Sequence, residues 1–434
     1  MEWYVLIVAA FFLLLALFAT GLPIFLSFLT LNIAGIYLLR GSFDGVMLVV
    51  NSMYNTGTSM SLAAIPLFIF LGEILFRSSA VHILFNAVDG LIGNLRARLY
   101  AVSILLSAVF GALSGSAMAV AAMMGASLLP EMRKRGYDRN LSMGAILAGS
   151  SLAPIIPPSV MAVVLGILSG VSISGLLVAG ILPGLLLAVA FFIYVVIRGW
   201  LNPSLAPVSQ QTSLPGRERA MLFLRALPFL LIIVTILGLI LAGVATPTEA
   251  AAMGCIVAMV ICSVFAKLDL KALYEALRAT AWITGMIMVI MVSSVSFSQV
   301  LNMSGVTFEL VAWVTDLDIS LVLMFIVLMA LPFILCMFID QIALMILLVP
   351  LYQPIVNALG FDPMWFWAIF LINMSIGGIT PPFGYTLFAL QGVASDVPIQ
   401  AVYRSVLPFI AIFGFVVVIL ALFPQIILFL PSLL

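Results

Sequence analysis

Apolar runs long enough to cross a lipid bilayer recur along almost the whole chain, and they constrain its fold more than any other feature. One helical crossing of a bilayer core about 30 Å thick needs roughly 20 apolar residues. Of the 434 residues, 65% are hydrophobic and only 7% are charged. Because lipid offers no hydrogen-bond partners to the backbone, the crossing segments must be helical. The sequence therefore predicts an all-α polytopic membrane protein.

Eight apolar runs without strong interruption predict membrane-spanning helices. They cover a final span after Tyr403 and residues 3–19, 22–39, 62–76, 176–197, 221–244, 247–265 and 281–303. The first run lacks a basic leader and a cleavage signature, so we interpret it as a retained span. Two segments that combine polar and apolar residues, 43–58 and 267–280, are predicted to be interfacial amphipathic helices.

Four further apolar segments are interrupted. Residues 100–130 contain LSGS and residues 319–358 contain FIDQ, and both segments are predicted to be helical hairpins with polar tips. Residues 140–169 and 365–391 contain adjacent prolines, which break a helix because proline lacks an N–H and clashes with the preceding turn.

The positions of the basic residues predict how these segments are oriented in the membrane. Basic clusters at Arg96 and Arg98, and in residues 131–139, 198–225 and 267–278, are expected in the cytoplasm. Residues 300–320 and 359–364 carry acidic side chains and no Lys or Arg, so they are expected outside. The first hairpin then re-enters from the cytoplasm and the second from outside, and both termini are predicted to be periplasmic.

One constant shift in numbering relates the two parts of the chain and predicts an internal repeat. This shift, called the repeat offset below, aligns Pro157-Pro158 with Pro381-Pro382, the Gly136–Asp138 turn with Gly360–Asp362, and Ser116 with Asp340. Because the equivalent segments are expected on opposite faces, they predict two inverted-topology repeats, an architecture of secondary transporters. Residues 1–197 and 221–434 would form the repeats, joined by a cytoplasmic linker at 198–220.

The breaks and tips are the places where polar chemistry is expected inside the membrane. Adjacent prolines leave the carbonyls of Ala153, Ile156, Gly377 and Thr380 without helical partners. Such carbonyls suit a hard cation such as Na⁺. The tips contribute small and polar residues, namely Gly111, Ser114 and Ser116 in the first, and Cys336, Asp340 and Gln341 in the second.

Each of these features also has a purely structural explanation. A proline pair can be a simple kink, and small residues can be helix-packing positions. A carboxylate at hydrophobic depth is costly, so Asp340 is a functional candidate, although it could instead reach water at a hairpin end. Glu73 is expected to pair with Arg77 one turn later, Thr248 to cap the helix starting near residue 247, and the three cysteines to pack as small hydrophobes. The balanced charge gives no indication of nucleic-acid binding.

The motifs together resemble the large membrane subunit of tripartite ATP-independent periplasmic (TRAP) transporters. The resemblance rests on SGSAMA (114–119), IIPPS (155–159), ATPTEAA (245–251), LVPLYQPIVNALGFDP (348–363) and GGITPPFG (377–384). It implies a bacterial or archaeal inner-membrane permease that imports an organic acid by a sodium-driven elevator mechanism. It also implies two partners, a small four-helix membrane subunit and a periplasmic solute-binding protein.

The resemblance further implies which residues bind sodium and substrate. A first sodium site would use Gly111, Ser114, Ala153, Ile156 and Pro158, and a second would use Cys336, Gly377, Thr380 and Phe383. Substrate contacts would lie at Ser116, Ser150, Pro157, Asp340 and Pro381. The alternatives are a one-component sodium/carboxylate symporter of related fold and, from another class, an intramembrane hydrolase using Asp340. The hydrolase lacks a second aspartate at the same depth and a Ser-His pair.

Overall fold

The computed structural model describes residues 3–40, 46–78, 80–92, 97–206 and 215–434, and every regular element within these ranges is a helix. Seven of the described helical segments are long and apolar enough to cross a membrane. Large apolar side chains such as Trp282 and Phe12 are more than half exposed, as expected for a lipid-facing surface. The predicted all-α polytopic fold is confirmed.

The first part of the chain contains eleven described α-helices. These are α1 (Trp3–Ala19), α2 (Ile24–Arg40), α3 (Val46–Gly57), α4 (Ala64–Arg77), α5 (Ala80–Ile92), α6 (Arg98–Ser114), α7 (Ala117–Lys134), α8 (Arg139–Ser150), α9 (Val160–Ser169), α10 (Ile173–Ala179) and α11 (Ile181–Leu201). Helices α6 and α7 form the first hairpin, and α8 and α9 are the two parts of the first broken helix. Residues 43–45, Arg96 and residues 207–214 of the predicted linker lie outside the described residues.

The second part contains ten described α-helices. These are α12 (Gly216–Leu241), α13 (Pro247–Phe265), α14 (Leu270–Met303), α15 (Val306–Asp316), α16 (Leu321–Cys336), α17 (Gln341–Ala358), α18 (Pro363–Gly377), α19 (Tyr385–Val393), α20 (Ile399–Leu422) and α21 (Gln425–Leu428). Helices α16 and α17 form the second hairpin, and α18 and α19 form the second broken helix.

The helix boundaries follow the repeat offset closely. The shift that places Pro157 on Pro381 also places both ends of α7 on the ends of α17, and the start of α8 on the start of α18. It brings α2 onto α13 and α5 onto α15 with ends that agree to within two residues. The correspondence therefore extends well beyond the prolines that revealed it. The opposite orientation of the two parts in the membrane stays a prediction.

The shared Gly-aromatic-Asp sequence marks equivalent turns between a hairpin and a broken helix. Gly136 and Gly360 have φ values of +77° and +71°, in the left-handed region that favours glycine. Asp138 then accepts a 2.8 Å hydrogen bond from the Leu141 N–H, and Asp362 accepts one of 2.8 Å from the Trp365 N–H. Each aspartate is thus a helix N-cap, which explains why the residue types recur.

The structure differs from the predicted segments at three places. The span at 281–303 and the interfacial helix at 267–280 form one continuous helix, α14, because no proline or other breaker separates them. The predicted span at 176–197 lies within Ile173–Leu201, one segment long and apolar enough to cross a membrane, in which Gly180 separates α10 from α11. Helix α5 was not predicted, because its 13 residues are too few to cross a membrane and gave no span signal.

The N-cap of α13 is Thr246 rather than Thr248. Its hydroxyl accepts a 3.3 Å hydrogen bond from the Glu249 N–H, and the Glu249 carboxylate accepts the Thr246 N–H at 2.8 Å. Pro247 occupies the first helical position, where its missing N–H costs nothing. This reciprocal arrangement of donor and acceptor is a capping box, which satisfies two backbone N–H groups at the start of the helix.

Two smaller expectations were confirmed. Arg77 pairs with Glu73 at 2.8 Å, and it also contacts Glu275 of α14 at 2.9 Å. Cys255, Cys262 and Cys336 are all buried and free of disulfide bonds.

The two hairpins and the two broken helices interlock across the repeat boundary. Helix α9 packs against α17, and α19 packs against α7. Gln353 of α17 donates a 3.0 Å hydrogen bond to the Ser169 carbonyl at the end of α9. Gly125 of α7 lies so close to α19 that an added Cβ would be 2.5 Å from the Leu390 side chain. This packing joins the hairpin of each repeat to the broken helix of the other.

Candidate functional site

The tip of the first hairpin is a short turn that exposes backbone and hydroxyl groups. Helix α6 ends at Ser114, and Gly115 adopts a left-handed φ of +63°. Ser116 then caps α7, since its hydroxyl accepts a 3.3 Å hydrogen bond from the Ala119 N–H. The Ser114 hydroxyl accepts the Ser116 N–H at 3.3 Å. Both predicted serines therefore hold the turn in shape.

This tip lies directly against the first break. A Cβ added to Gly111 would be 2.8 Å from the Ala153 Cα, and one added to Gly115 would be 3.3 Å from the Val160 side chain. No residue larger than glycine fits at position 111 without a shift of the break. The structure thus brings together Gly111 and Ala153, two of the predicted sodium-site residues.

The first break, residues 151–159, is held by a residue that sequence reasoning did not single out. The fully buried Ser159 hydroxyl donates a 2.6 Å hydrogen bond to the Pro154 carbonyl and caps α9 by accepting the Ala162 N–H at 3.2 Å. A serine that directly precedes an apolar run is an N-cap signal that could have identified it.

The predicted free carbonyls are found in the first break. The carbonyls of Ala153 and Ile156 accept no hydrogen bond from the described residues. The Ile156 side chain packs on α11, where a Cβ at Gly184 would be 2.5 Å from it. Pro157 and Pro158 are buried, and the bond between them is cis. Two unsatisfied carbonyls beside a glycine-lined tip fit a small hard cation.

The tip of the second hairpin has a carboxylate where the first has a hydroxyl. Asp340 caps α17 and accepts hydrogen bonds from the Ile342 N–H at 2.9 Å and the Ala343 N–H at 3.3 Å. Ser116 has the equivalent position and the same capping role in the first repeat. Capping alone therefore accounts for a polar residue at this point, but it does not require a charge.

The second tip also lies directly against its break. A Cβ added to Gly377 would be 2.6 Å from the Cys336 Cβ and 3.0 Å from its sulfur. The Cys336 thiol donates to the Met374 carbonyl at 3.2 Å. The Cys336–Gly377 contact is the counterpart of the Gly111–Ala153 contact, since each joins the end of a hairpin arm to a break.

The carbonyls of the second break are less free than expected. The Thr380 carbonyl accepts the Gly384 N–H at 3.1 Å, and the Gly377 carbonyl accepts the Thr380 N–H at 3.1 Å. These bonds form because the chain turns tightly after Gly377 instead of running straight. Each carbonyl still has a second lone pair. The Thr380 hydroxyl donates to the Ile376 carbonyl at 2.7 Å.

The second break is more exposed than the first. Phe383 occupies the position equivalent to Ser159 and is 56% exposed, with its ring centroid 5.5 Å from that of Phe338. Pro381 is half-buried, its bond to the exposed Pro382 is cis, and the Tyr403 hydroxyl donates to the Pro382 carbonyl. The two breaks thus share a backbone form but differ in solvent access.

Ser150, a predicted substrate contact, lies in the last turn of α8. It is fully buried, and its hydroxyl donates to the Leu147 carbonyl of its own helix at 2.8 Å. An apolar groove of about 890 Å³, lined by residues that include Pro23, Trp282 and Met286, lies apart from both tips and both breaks. Its apolar lining suits lipid rather than an ion.

Comparison with known families agrees with this architecture. Residues 11–426 match the family model of the tripartite ATP-independent periplasmic transporter, DctM component. The chain belongs to this family. Its relatives include the ectoine/5-hydroxyectoine TRAP transporter large permease protein UehC of Ruegeria pomeroyi, which is 33% identical over 94% of this chain and 98% of the relative.

Two further relatives of this DctM-family chain are similar over most of their length. The sialic acid TRAP transporter large permease protein SiaM of Vibrio cholerae is 30% identical over 96% of this chain and 97% of the relative. The C4-dicarboxylate TRAP transporter large permease protein DctM of Pseudomonas aeruginosa is 31% identical over 90% of each chain. All three are named as permeases and not as enzymes, which argues against an intramembrane hydrolase.

A solved structure shows the same fold at low sequence similarity. The Alcanivorax borkumensis YdaH transporter superposes with a TM-score of 0.68 and 15% identity, covering 92% of this chain and 97% of that chain. This DctM-family chain is therefore a polytopic membrane permease subunit with a transporter fold.

Proposed function

We propose that this chain is the large permease subunit of a sodium-coupled TRAP transporter in a prokaryotic inner membrane. It would import an organic acid delivered by a periplasmic binding protein and would work with a small four-helix membrane subunit. The observation that carries the proposal is a pair of similar contacts, Gly111–Ala153 and Cys336–Gly377, each of which places a hairpin tip against a proline break.

Sodium would bind at each tip-and-break pair. The first site would use oxygens of Gly111, Ser114, Ala153, Ile156 and Pro158, and the free carbonyls of Ala153 and Ile156 support it. The second site would use oxygens of Cys336, Gly377, Thr380 and Phe383. Main-chain oxygens suit this role because they carry no titratable proton and match the preference of hard cations for oxygen.

The substrate would lie between the two tips. The N-termini of α7 and α17 start there, and helix N-termini favour an anion. Ser116, Ser150, Pro157, Asp340 and Pro381 are the proposed substrate contacts. Because the Asp340 carboxylate repels an organic acid, bound sodium would supply compensating charge, which links ion binding to substrate binding.

The interlocked packing supports movement of the hairpins and broken helices as one body. Helix α9 packs on α17 and α19 on α7, so the hairpin of each repeat contacts the broken helix of the other. A rigid body of this kind, moving against the remaining spans, would constitute an elevator mechanism.

The substrate itself does not follow from family membership. The relatives named for ectoine, sialic acid and C4-dicarboxylate are 30% to 33% identical to this chain, so no one of them is favoured. The proposal is therefore limited to an organic acid.

A reconstitution experiment tests the proposal. The chain would be incorporated into liposomes with the small subunit and the binding protein encoded beside it, and uptake of the binding protein's ligand would be measured under an inward sodium gradient. We expect uptake only with all three proteins and sodium. Uptake by the large subunit alone would favour the one-component symporter instead.

Substitutions test the site itself. We expect Asp340→Asn, and the double variant Ser114→Ala with Thr380→Ala, each to lower sodium-dependent uptake at least tenfold. Undiminished sodium-dependent uptake in both variants would refute the site, even if the reconstituted complex is active.

A further inference from the structure

Gln341, the first residue of α17, carries a buried polar group that the fold does not satisfy. The residue is 2% exposed and lies at the second tip, directly after Asp340. Its side-chain Nε2 donates a 2.7 Å hydrogen bond to the Met374 carbonyl in the last turn of α18. Its Oε1 atom is buried and has no hydrogen-bond partner among the described residues.

The orientation of this amide is determined by its neighbour. The Met374 carbonyl can only accept, and it already receives the Gly378 N–H at 3.2 Å and the Cys336 thiol at 3.2 Å. Rotating the amide by half a turn would place two oxygens together, so Nε2 must face Met374. The oxygen is consequently directed away from the hydrogen bond to Met374.

Burying an amide oxygen without a hydrogen-bond donor costs free energy, and a bound ligand can supply the missing partner. The amide lies at the break, because a Cβ added to Gly378 would be 2.9 Å from Gln341 Nε2. The other polar groups around the second break are the Asp340 carboxylate, the carbonyls of Gly377 and Thr380, and the Tyr385 hydroxyl, which a Cβ added to Gly378 would approach to 3.1 Å. Several oxygens and one acidic group favour a cation over an anion.

We propose that the Gln341 side-chain oxygen is a direct ligand of the sodium ion at the second break. This inference rests on the proposed sodium coupling and adds a side-chain amide to a site otherwise built from main-chain and hydroxyl oxygens. Ala117 occupies the position equivalent to Gln341 in the first repeat. The two sodium sites therefore differ chemically, and only the second depends on an amide.

The test compares two substitutions of Gln341 in the reconstituted three-protein complex, one that removes the side-chain oxygen and one that keeps it. Gln341→Leu removes the oxygen at similar volume, and we expect the sodium concentration for half-maximal uptake to rise at least tenfold, with maximal uptake retained within about threefold. Gln341→Glu keeps an oxygen at the site, and we expect half-maximal uptake at a sodium concentration no more than threefold above that of the unmodified complex.

A matched control lies on the same helix. Gln353→Leu is the same substitution on α17, but the Gln353 amide bonds the Ser169 carbonyl away from the break. We expect its sodium dependence to be unchanged. A second readout is the stabilisation of the purified large subunit by sodium relative to potassium in thermal unfolding, which requires no transport. Gln341→Leu should reduce this stabilisation at low sodium to the contribution of the first site.

The outcomes separate the possible failures. If both Gln341 variants weaken sodium dependence equally, the residue acts only as a donor to Met374 and the inference is wrong. A Gln341→Leu protein with unchanged sodium dependence contradicts it as well. If the unmodified complex transports without any sodium dependence, the proposed function itself fails.

Discussion

The Ser294 hydroxyl of α14 donates a 2.6 Å hydrogen bond to the Ile346 carbonyl of α17. Pro350 lies one helical turn after Ile346 and has no N–H, so this carbonyl has no donor within its own helix. A neighbouring helix thus supplies the hydrogen bond that the proline removes. In an apolar environment this is the expected way to tolerate a proline inside a spanning helix.

Replacing Ser294 is therefore expected to destabilise the protein. Ser294→Ala should lower the free energy of unfolding by about 1 kcal/mol, because hydrogen bonds between membrane helices are worth roughly that amount. Chemical unfolding in detergent would measure it. The matched control is Ser296→Ala, since Ser296 is equally buried on α14 but bonds the Val292 carbonyl of its own helix. Ser296→Ala should lower the free energy of unfolding by distinctly less than Ser294→Ala.

If the missing N–H of Pro350 is the reason that the Ile346 carbonyl needs Ser294, the effects of Ser294→Ala and Pro350→Ala on stability should not be additive. Pro350→Ala restores an N–H that can bond Ile346, so Ser294→Ala should cost less in that background. Strictly additive effects would contradict this explanation.

Gly111 is expected to tolerate no side chain. Gly111→Ala would place a Cβ 2.8 Å from the Ala153 Cα, so the tip must move away from the first break. We expect a loss of about 1 to 3 kcal/mol in stability, as in other overpacked sites, together with loss of uptake. Gly414→Ala in α20 is the control, because the new Cβ would have no atom of the described residues within 4 Å. Equal behaviour of the two variants would be inconsistent with close tip packing.

Arg133 and Asp396 form an ion pair that should respond to acid. The pair joins the end of α7 to the loop after α19 at 2.8 Å. The hydrogen bond from Arg133 lowers the pKa of Asp396. Because the folded pKa is the lower one, the contribution to stability is present above the usual aspartate pKa of about 4 and is lost as the pH falls through the lowered value.

A double-mutant cycle of Arg133→Gln and Asp396→Asn would measure this pair by thermal unfolding. We expect a small coupling that is constant between about pH 5 and pH 8 and is weakened by salt, since both groups are partly exposed. A coupling that strengthens on acidification would show that another group is responsible.

The cap of α13 provides a test of local structure. Thr246→Ala should cost about 1 kcal/mol in stability, the typical contribution of a helix N-cap. Thr248→Ala should cost much less, because Thr248 lies inside the first turn and is not the cap. The reverse ranking in an unfolding measurement would place the helix start at Thr248 instead.

The sequence was most informative where the backbone chemistry of single residues decides the structure. Adjacent prolines lie in the breaks that follow α8 and α18, and polar or glycine-rich sequences mark both hairpin tips, as predicted. The aspartates at 138 and 362 recur because each caps a helix. Two separate helices were predicted where the structure has only α14. A segment of polar and apolar residues there continues into an apolar one with no helix-breaking residue between them, and amphipathicity alone does not mark a helix end.

The residues that complete the site were harder to predict. Ser159 bonds Pro154 across the turn of the first break, and Gln341 bonds Met374, which is 33 residues away in sequence. Neither partner can be read from spacing along the chain, since neither follows a helical or strand period.

The sequence by itself determined the helical class and the positions of the breaks and tips, because these depend on apolar runs and on backbone groups close together along the chain. The tertiary structure alone decided that Gly111 meets Ala153, that Cys336 meets Gly377, and that Ser294 serves the carbonyl freed by Pro350. Those contacts join helices distant in sequence. They depend on which surfaces fit closely enough to satisfy buried polar groups, a property of the packed whole.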